Sequence, residues 1–160
     1  MKVAVFTVLI VMQAKLVSAA PCKINQSVYR DAGGKGFELV FGESIPGTVS
    51  QATATIRLPE QGRRYAFNVV QSQGYGSTSL VMINPSSNGL EFGNSFMINF
   101  FDQNLRAANP GVWGRETQSP RYAFITGLGS HDYYTNSRNI NVENAPSLIG
   151  DVMWIHDRCQ

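Results

Sequence analysis

Apolar and polar residues alternate along much of this chain. Ala54, Ile56 and Leu58 interleave with Thr53, Thr55 and Arg57; Tyr65, Phe67 and Val69 keep the same spacing, as do Phe96, Ile98 and Phe100, and Val152 with Trp154. A half-buried strand needs a period of two, because successive side chains point to opposite faces of a sheet. Runs rich in β-branched and aromatic residues predict strands at 37–41, 52–58, 65–70, 79–83, 96–101, 122–126, 139–143 and 150–155. Between them stand Pro46-Gly47, Gly74-Tyr75-Gly76, Asn88-Gly89 and Pro110-Gly111, which supply fixed or positive φ where the chain must reverse. Apolar residues at three-and-four spacing behind a credible cap are missing, so helix signals are nearly absent. The pattern predicts an all-β single domain, an antiparallel β-sandwich or small barrel of about eight strands, with a mixed α+β fold as the fallback.

The first residues follow a different rule. Met1-Lys2 is followed by a run from Val3 to Met12 that is apolar except for Thr7, and then by Leu16-Val17-Ser18-Ala19-Ala20-Pro21. A positive start, a short apolar run and a small-residue exit mark a secretory signal peptide. The run is too short to span a bilayer, which needs about 20 apolar residues. Cleavage after Ala19 keeps Pro21 away from the scissile bond, so 1–19 reads as leader and 20–160 as one secreted β domain.

That reading changes the charge. The chain has 13 basic and 11 acidic residues; Lys2 and Lys15 leave with the leader, and the remainder is neutral. A neutral chain with scattered arginines lacks the positive excess that drives phosphate-backbone binding. Nucleic acid and membranes are therefore not expected partners. The chain contains two cysteines, Cys22 and Cys159, near the two ends of the predicted mature chain. In an oxidising compartment they are expected to pair. Closing so long a loop stabilises by about 3–5 kcal/mol in the chain-entropy model. Asn25-Gln26-Ser27 is an acceptor triplet for N-glycosylation, and Asn84 fails because Pro85 follows it.

Candidate chemistry is sparse. His131-Asp132 and His156-Asp157 are each a histidine beside a carboxylate. Histidine with carboxylate can perform acid–base work or bind a metal, yet neighbours on a strand point to opposite faces, so neither pair forms a site by itself. No zinc or calcium spacing and no phosphate loop stands out, and neither a metal nor a cofactor is expected. The stretch 102–120 shows no regular element beyond a candidate short helix near Asn104, and loops of that length are more often functional. Recognition chemistry is better represented, by Tyr75, Trp113, Tyr133 and Tyr134 with the amides of Asn109, Gln118 and Asn136. Rigid aromatic faces and amides suit binding loops. Trp113 is expected to be exposed because glycine and proline surround it, whereas Trp154 should be core. The leading expectation is a secreted non-enzymatic protein that binds an extracellular glycan or protein. A small hydrolase using His131 or His156 and a membrane-active, pore-forming protein are the alternatives.

Two repeats of motif bear on origin. Arg64-Tyr65-Ala66-Phe67 recurs as Arg121-Tyr122-Ala123-Phe124, which would suit an internal duplication. Over residues 42–101, Ile45-Pro46-Gly47, Phe67-Asn68-Val69, Gly74-Tyr75-Gly76-Ser77 and Phe96-Met97-Ile98-Asn99-Phe100 resemble the arthropod multiprotein bridging factor type-two family. The resemblance implies a small secreted β protein from an arthropod. The family's Asp-Gln and double-glycine stretches are missing here, and its ending lies well before this chain stops, so the resemblance carries over no functional residue.

Overall fold

The computed structural model describes residues 22–60, 62–72, 74, 76–83, 92–110, 113, 118–136 and 147–160, with Arg63 and Phe92 described by backbone alone. The proposed leader, Tyr75, the Asn88-Gly89 turn and the strand expected at 139–143 lie outside the described residues.

Eight strands follow one another round a closed barrel: β1 (Ser27–Asp31), β2 (Glu38–Gly42), β3 (Ala52–Leu58), β4 (Gly62–Gln71), β5 (Thr78–Ile83), β6 (Phe92–Phe101), β7 (Tyr122–Ile125) and β8 (Met153–Cys159). Each pairs antiparallel with the next, and β8 pairs with β1 to close the ring. Closure decides for the barrel over the sandwich and leaves no strand edge unpaired within the ring. The inward positions can be followed from strand to strand. Tyr29 faces Leu39, Leu39 faces Ile56, Ala54 faces Phe67, Val69 faces Leu80, Leu80 faces Phe96, Phe100 faces Ala123, and Ala123 faces Trp154.

All of these side chains are buried, Phe96 being the most exposed at 7%. An eight-stranded ring is just wide enough for side chains to fill, so the interior is a packed core. Each large apolar side chain contributes about 1.5–3 kcal/mol by leaving water. The wall carries the opposite polarity in part: Arg30, Glu38, Thr53, Thr55, Arg57 and Arg158 point outward, with Glu38 bonded to both Arg57 and Arg158 at 2.9 and 2.7 Å. A bilayer-spanning barrel has an apolar outside and a polar inside; this one is apolar inside.

Two elements depart from the expectation. The strand Ser27–Asp31 falls where no strand is expected, because Ser27 and Asp31 are polar yet buried. Asp31 is satisfied by holding the next turn: its carboxylate accepts the Lys35 and Phe37 N–H groups at 2.9 and 2.8 Å. The stretch read as a tyrosine-bearing loop is a helix, α1 (Leu128–Asn136). Its Gly129 packs so closely on the returning chain that a Cβ would sit 2.3 Å from Gly150 C and Asp151 N. By contrast the Pro46-Gly47 turn behaves as expected, with Gly47 at φ +79°.

The four-residue recurrence is not a structural repeat. In β4 the first copy turns Tyr65 and Phe67 toward the interior, whereas in β7 the second buries Ala123 and Ile125. The copies are out of phase by one residue, which exchanges inside for outside. They also run in opposite directions, three strands apart.

Candidate functional site

Strand direction sorts the connections onto two mouths. The β2–β3, β4–β5 and β6–β7 connections share one mouth with Cys22 and Cys159, and α1 lies at the other. At the first, Cys22 and Cys159 form the expected disulfide, their Cα atoms 5.7 Å apart across a separation of 137 residues. The chain around Cys22 grips the end of the β6–β7 connection: the Cys22 carbonyl accepts from Ser119 N–H at 2.9 Å and from its hydroxyl at 3.0 Å, and Lys23 bridges Gln118. Asn25, the glycosylation candidate, lies half-buried in the 3-10 turn Ile24–Gln26.

The β6–β7 connection begins with a tight turn where the sequence allows a short helix. Asp102 N–H donates to Arg106 C=O at 2.9 Å, and Leu105 N–H donates to Asp102 C=O at 3.1 Å. Asp102 Oδ1 accepts the Asn104 and Arg106 N–H groups at 2.7 and 2.9 Å, and Phe101 bridges Ala107 below. The turn places Leu105 at φ +61°, the only positive φ outside glycine among the described residues. The left-handed region costs about 1–2 kcal/mol for a residue with a Cβ. Leu105 is nonetheless 63% exposed, so its side chain recovers little of that by burial.

Between this turn and the disulfide-clasped segment runs an open groove of about 530 Å³. Asp102, Gln103, Asn104 and Ala108 form one wall; Gln118, Ser119, Pro120 and Arg121 form the other. Tyr29 fixes the second wall from inside by donating its hydroxyl to Pro120 C=O at 2.9 Å. Arg121 donates to His156 C=O at 2.9 Å, and its guanidinium lies 5.7 Å from the centre of the Tyr122 ring. The groove thus offers amides, a hydroxyl, a guanidinium and a carboxylate over the small apolar surfaces of Ala108 and Pro120.

Trp113 is not exposed. At 4% it belongs to the core, closing this mouth against Phe41 and Phe100 with ring centres 5.4 and 5.9 Å away. Its indole N–H donates to the Thr78 hydroxyl at 3.3 Å. The neighbouring Asn109 and Pro110 are tied to the barrel, Asn109 Oδ1 accepting Phe100 N–H at 2.8 Å and Pro110 C=O accepting from the Gln71 amide at 2.6 Å. Proline beside Trp113 therefore marks a chain turning inward as a plug. Trp154 is core as expected, at 1%.

Tyr133 and Tyr134 stand on α1 at the other mouth, 53% and 61% exposed, their rings edge to face at 5.4 Å. They lie apart from the groove, so the four aromatic candidates do not make one site. Asp132, next to them, is fully buried and closes this mouth. It accepts from Tyr65 OH at 2.6 Å, Arg64 Nε at 3.1 Å, the Asn136 amide at 2.8 Å and Ile149 N–H at 2.8 Å. Arg64 Nη2 is also 3.1 Å away but too poorly aligned for a hydrogen bond, so it contributes charge alone. Burial, reinforced by the Asp132 carboxylate, pushes the Tyr65 hydroxyl up to about 12.

The histidines are separate. His131 packs on Tyr65 and Phe96 near Asn94 and Thr135 at the helix mouth. His156 Nε2 faces Cys22 Sγ at 3.1 Å, and its ring lies edge-on to Tyr29. Burial, and then the nearby Arg121 charge, hold the His156 pKa below the usual imidazole range against the opposing pull of Asp157. Among the described residues neither imidazole is hydrogen-bonded to a carboxylate, and no group of three His, Cys, Asp or Glu could hold a metal. No described helix is long and apolar enough to cross a membrane. No family model, no curated protein and no solved structure matches the chain.

Proposed function

We propose that this is a secreted, non-enzymatic recognition protein that takes an extracellular partner, a glycan or a protein, on its outer surface at the groove of the disulfide mouth. One contrast carries the reading. The barrel interior is filled by side chains such as Phe41, Phe67, Phe100 and Trp154, and both mouths are plugged, whereas a groove of about 530 Å³, lined by polar and apolar groups, stands open beside the disulfide. Small-ligand barrels use their lumen; here the available chemistry is outside. Secretion is supported by the Lys2–Ala19 pattern and by a disulfide, which persists in oxidising compartments. The test is binding of the mature protein to a glycan array and to a panel of purified body-fluid proteins. Arg121→Ala combined with Gln103→Ala should weaken a saturable hit by about tenfold or more, since arginines are frequent hot spots, with the thermal midpoint unchanged. Undiminished binding in that folded variant removes the groove from the account.

A further inference from the structure

We propose that the Cys22–Cys159 disulfide is a thiol–disulfide exchange site, in which an external dithiol attacks Cys159 Sγ and His156 receives Cys22 as the leaving thiolate. The proposal stands apart from partner binding in the groove. Its basis is the setting of one sulfur. His156 Nε2 lies 3.1 Å from Cys22 Sγ, and the Ser119 hydroxyl lies 3.6 Å from the same atom. That hydroxyl donates to the Cys22 carbonyl at 3.0 Å, but the carbonyl also accepts Ser119 N–H at 2.9 Å. The hydroxyl proton can therefore turn to the sulfur without orphaning the carbonyl. A disulfide sulfur is a weak acceptor and gains little from such donors, whereas a thiolate gains a charge-assisted hydrogen bond from each. Both donors thus favour the state in which the bond has broken toward Cys22.

The two sulfurs differ in access. Cys22 is 6% exposed and Cys159 is half-buried, so an incoming thiolate reaches Cys159. Its electron pair forms the new bond to Cys159 Sγ, and the Cys22–Cys159 bond breaks with its pair on Cys22 Sγ. A leaving thiol of lower pKa departs faster, and a neighbouring imidazolium lowers that pKa. His156 takes up the proton given up by the attacking thiol and holds the Cys22 thiolate as its counter-charge. The second thiolate of the reagent then attacks the first, closing a cyclic disulfide, and Cys159 leaves as a thiolate that water protonates. Two electrons pass from the dithiol to the protein. The barrel need not open for this. Cys159 stays paired with Ser27 in the β1–β8 ladder, and Ile24, at 1%, keeps the Cys22 segment in the core. The reduced sulfurs remain side by side, so the reverse reaction with a disulfide reagent restores the bond.

The charges nearest His156 are Arg121, which donates to its carbonyl, and Asp157, itself paired with Arg30 and Arg158 at 3.6 and 2.7 Å. Tyr29, edge-on to the ring, stays neutral because burial raises its pKa. Burial and Arg121 keep the imidazole neutral near pH 7, so it is already charged before attack only in acid.

The test is reduction of the folded mature protein by dithiothreitol without denaturant, read as released thiols across pH and normalised to the reagent's thiolate fraction. His156→Phe keeps an aromatic ring against Tyr29 and removes the donor; His156→Gln keeps a donor that cannot titrate. The normalised wild-type rate should be linear in dithiothreitol and rise as pH falls through the His156 pKa. His156→Phe should be slower by about tenfold or more at an unchanged thermal midpoint, and His156→Gln should lose the rise. A rate within about twofold of wild type in folded His156→Phe overturns the proposal. So does a rise that persists in His156→Gln, a flat wild-type profile, or reduction that occurs only in denaturant.

Discussion

The two mouths of the barrel are closed by opposite physics. At the disulfide mouth the plug is shape: Trp113 fills the space over Phe41 and Phe100, and a covalent bond joins Cys22 to Cys159 at the same mouth. At the helix mouth the plug is a charge. Leu128 and Ile149 cover the interior, but α1 is held by the buried carboxylate of Asp132 and its ring of donors. A packed aromatic loses contacts in proportion to what is removed. A buried carboxylate with several donors fails more abruptly, because each donor then needs a partner in a place water does not reach. The open groove lies at the mouth closed by the packed aromatic.

The largest effects expected are those that remove either plug. Asp132→Ala should destabilise by about 3–5 kcal/mol, as should Trp113→Ala, both read from urea midpoints. The conservative pair separates the mechanisms. Trp113→Phe should cost about 1–2 kcal/mol, because an aromatic ring still covers the core. Asp132→Asn should keep most of the Asp132→Ala loss, because the amide leaves Arg64 without a counter-charge. Equal costs for the two conservative changes would erase the distinction between the mouths.

Alkaline pH should act on both mouths, through Tyr65 at the helix mouth and through Tyr29, whose pKa burial also raises, at the disulfide mouth. The Tyr65 pKa is raised from about 10 to about 12, so the folded state favours the protonated hydroxyl. Its contribution is complete below the unfolded value and is lost as pH rises from about 10 through about 12. Hydrogen exchange in α1 should quicken across that window, and Tyr65→Phe should abolish that part of the pH dependence while leaving the part due to Tyr29. An unchanged pH dependence of exchange in α1 after Tyr65→Phe would remove Tyr65 from this account.

The smallest effect concerns the exposed tyrosines. Tyr133→Ala and Tyr134→Ala should each shift stability by less than about 0.5 kcal/mol, since neither ring is buried. A larger loss in thermal midpoint would mean that the tyrosine pair braces α1.

What the sequence made legible was whatever alternates. Ala54-Thr55-Ile56 and Phe96-Met97-Ile98 announce their strands because one face is apolar and the other is not. The segment Ser27–Asp31 hides because its buried positions include Ser27 and Asp31, whose burial is made tolerable by hydrogen bonds that no periodicity records. The helix Leu128–Asn136 hides for the same reason: its inward residues four apart are Leu128 and Asp132, and an aspartate at that spacing reads as a surface position. Trp113 misled because proline and glycine signal a turn without saying whether the turn faces water. The disulfide was legible from the two cysteines alone, whereas the groove was not, since its walls are separate parts of a connection that no periodicity brings together and one of them is held by Cys22.

Strand order round the barrel is cyclic, and the disulfide holds Cys22, just before the first strand, with its Cα 5.7 Å from that of Cys159 in the last. The molecule is therefore close to a ring whose opening between β8 and β1 is a matter of where translation starts. Joined by a short linker across Cys22 and Cys159 and reopened at the short β3–β4 hairpin, the same residues could keep all eight pairings. In such a permuted chain both new termini would leave from the helix mouth, so a fused protein would sit at the end of the barrel farthest from the groove.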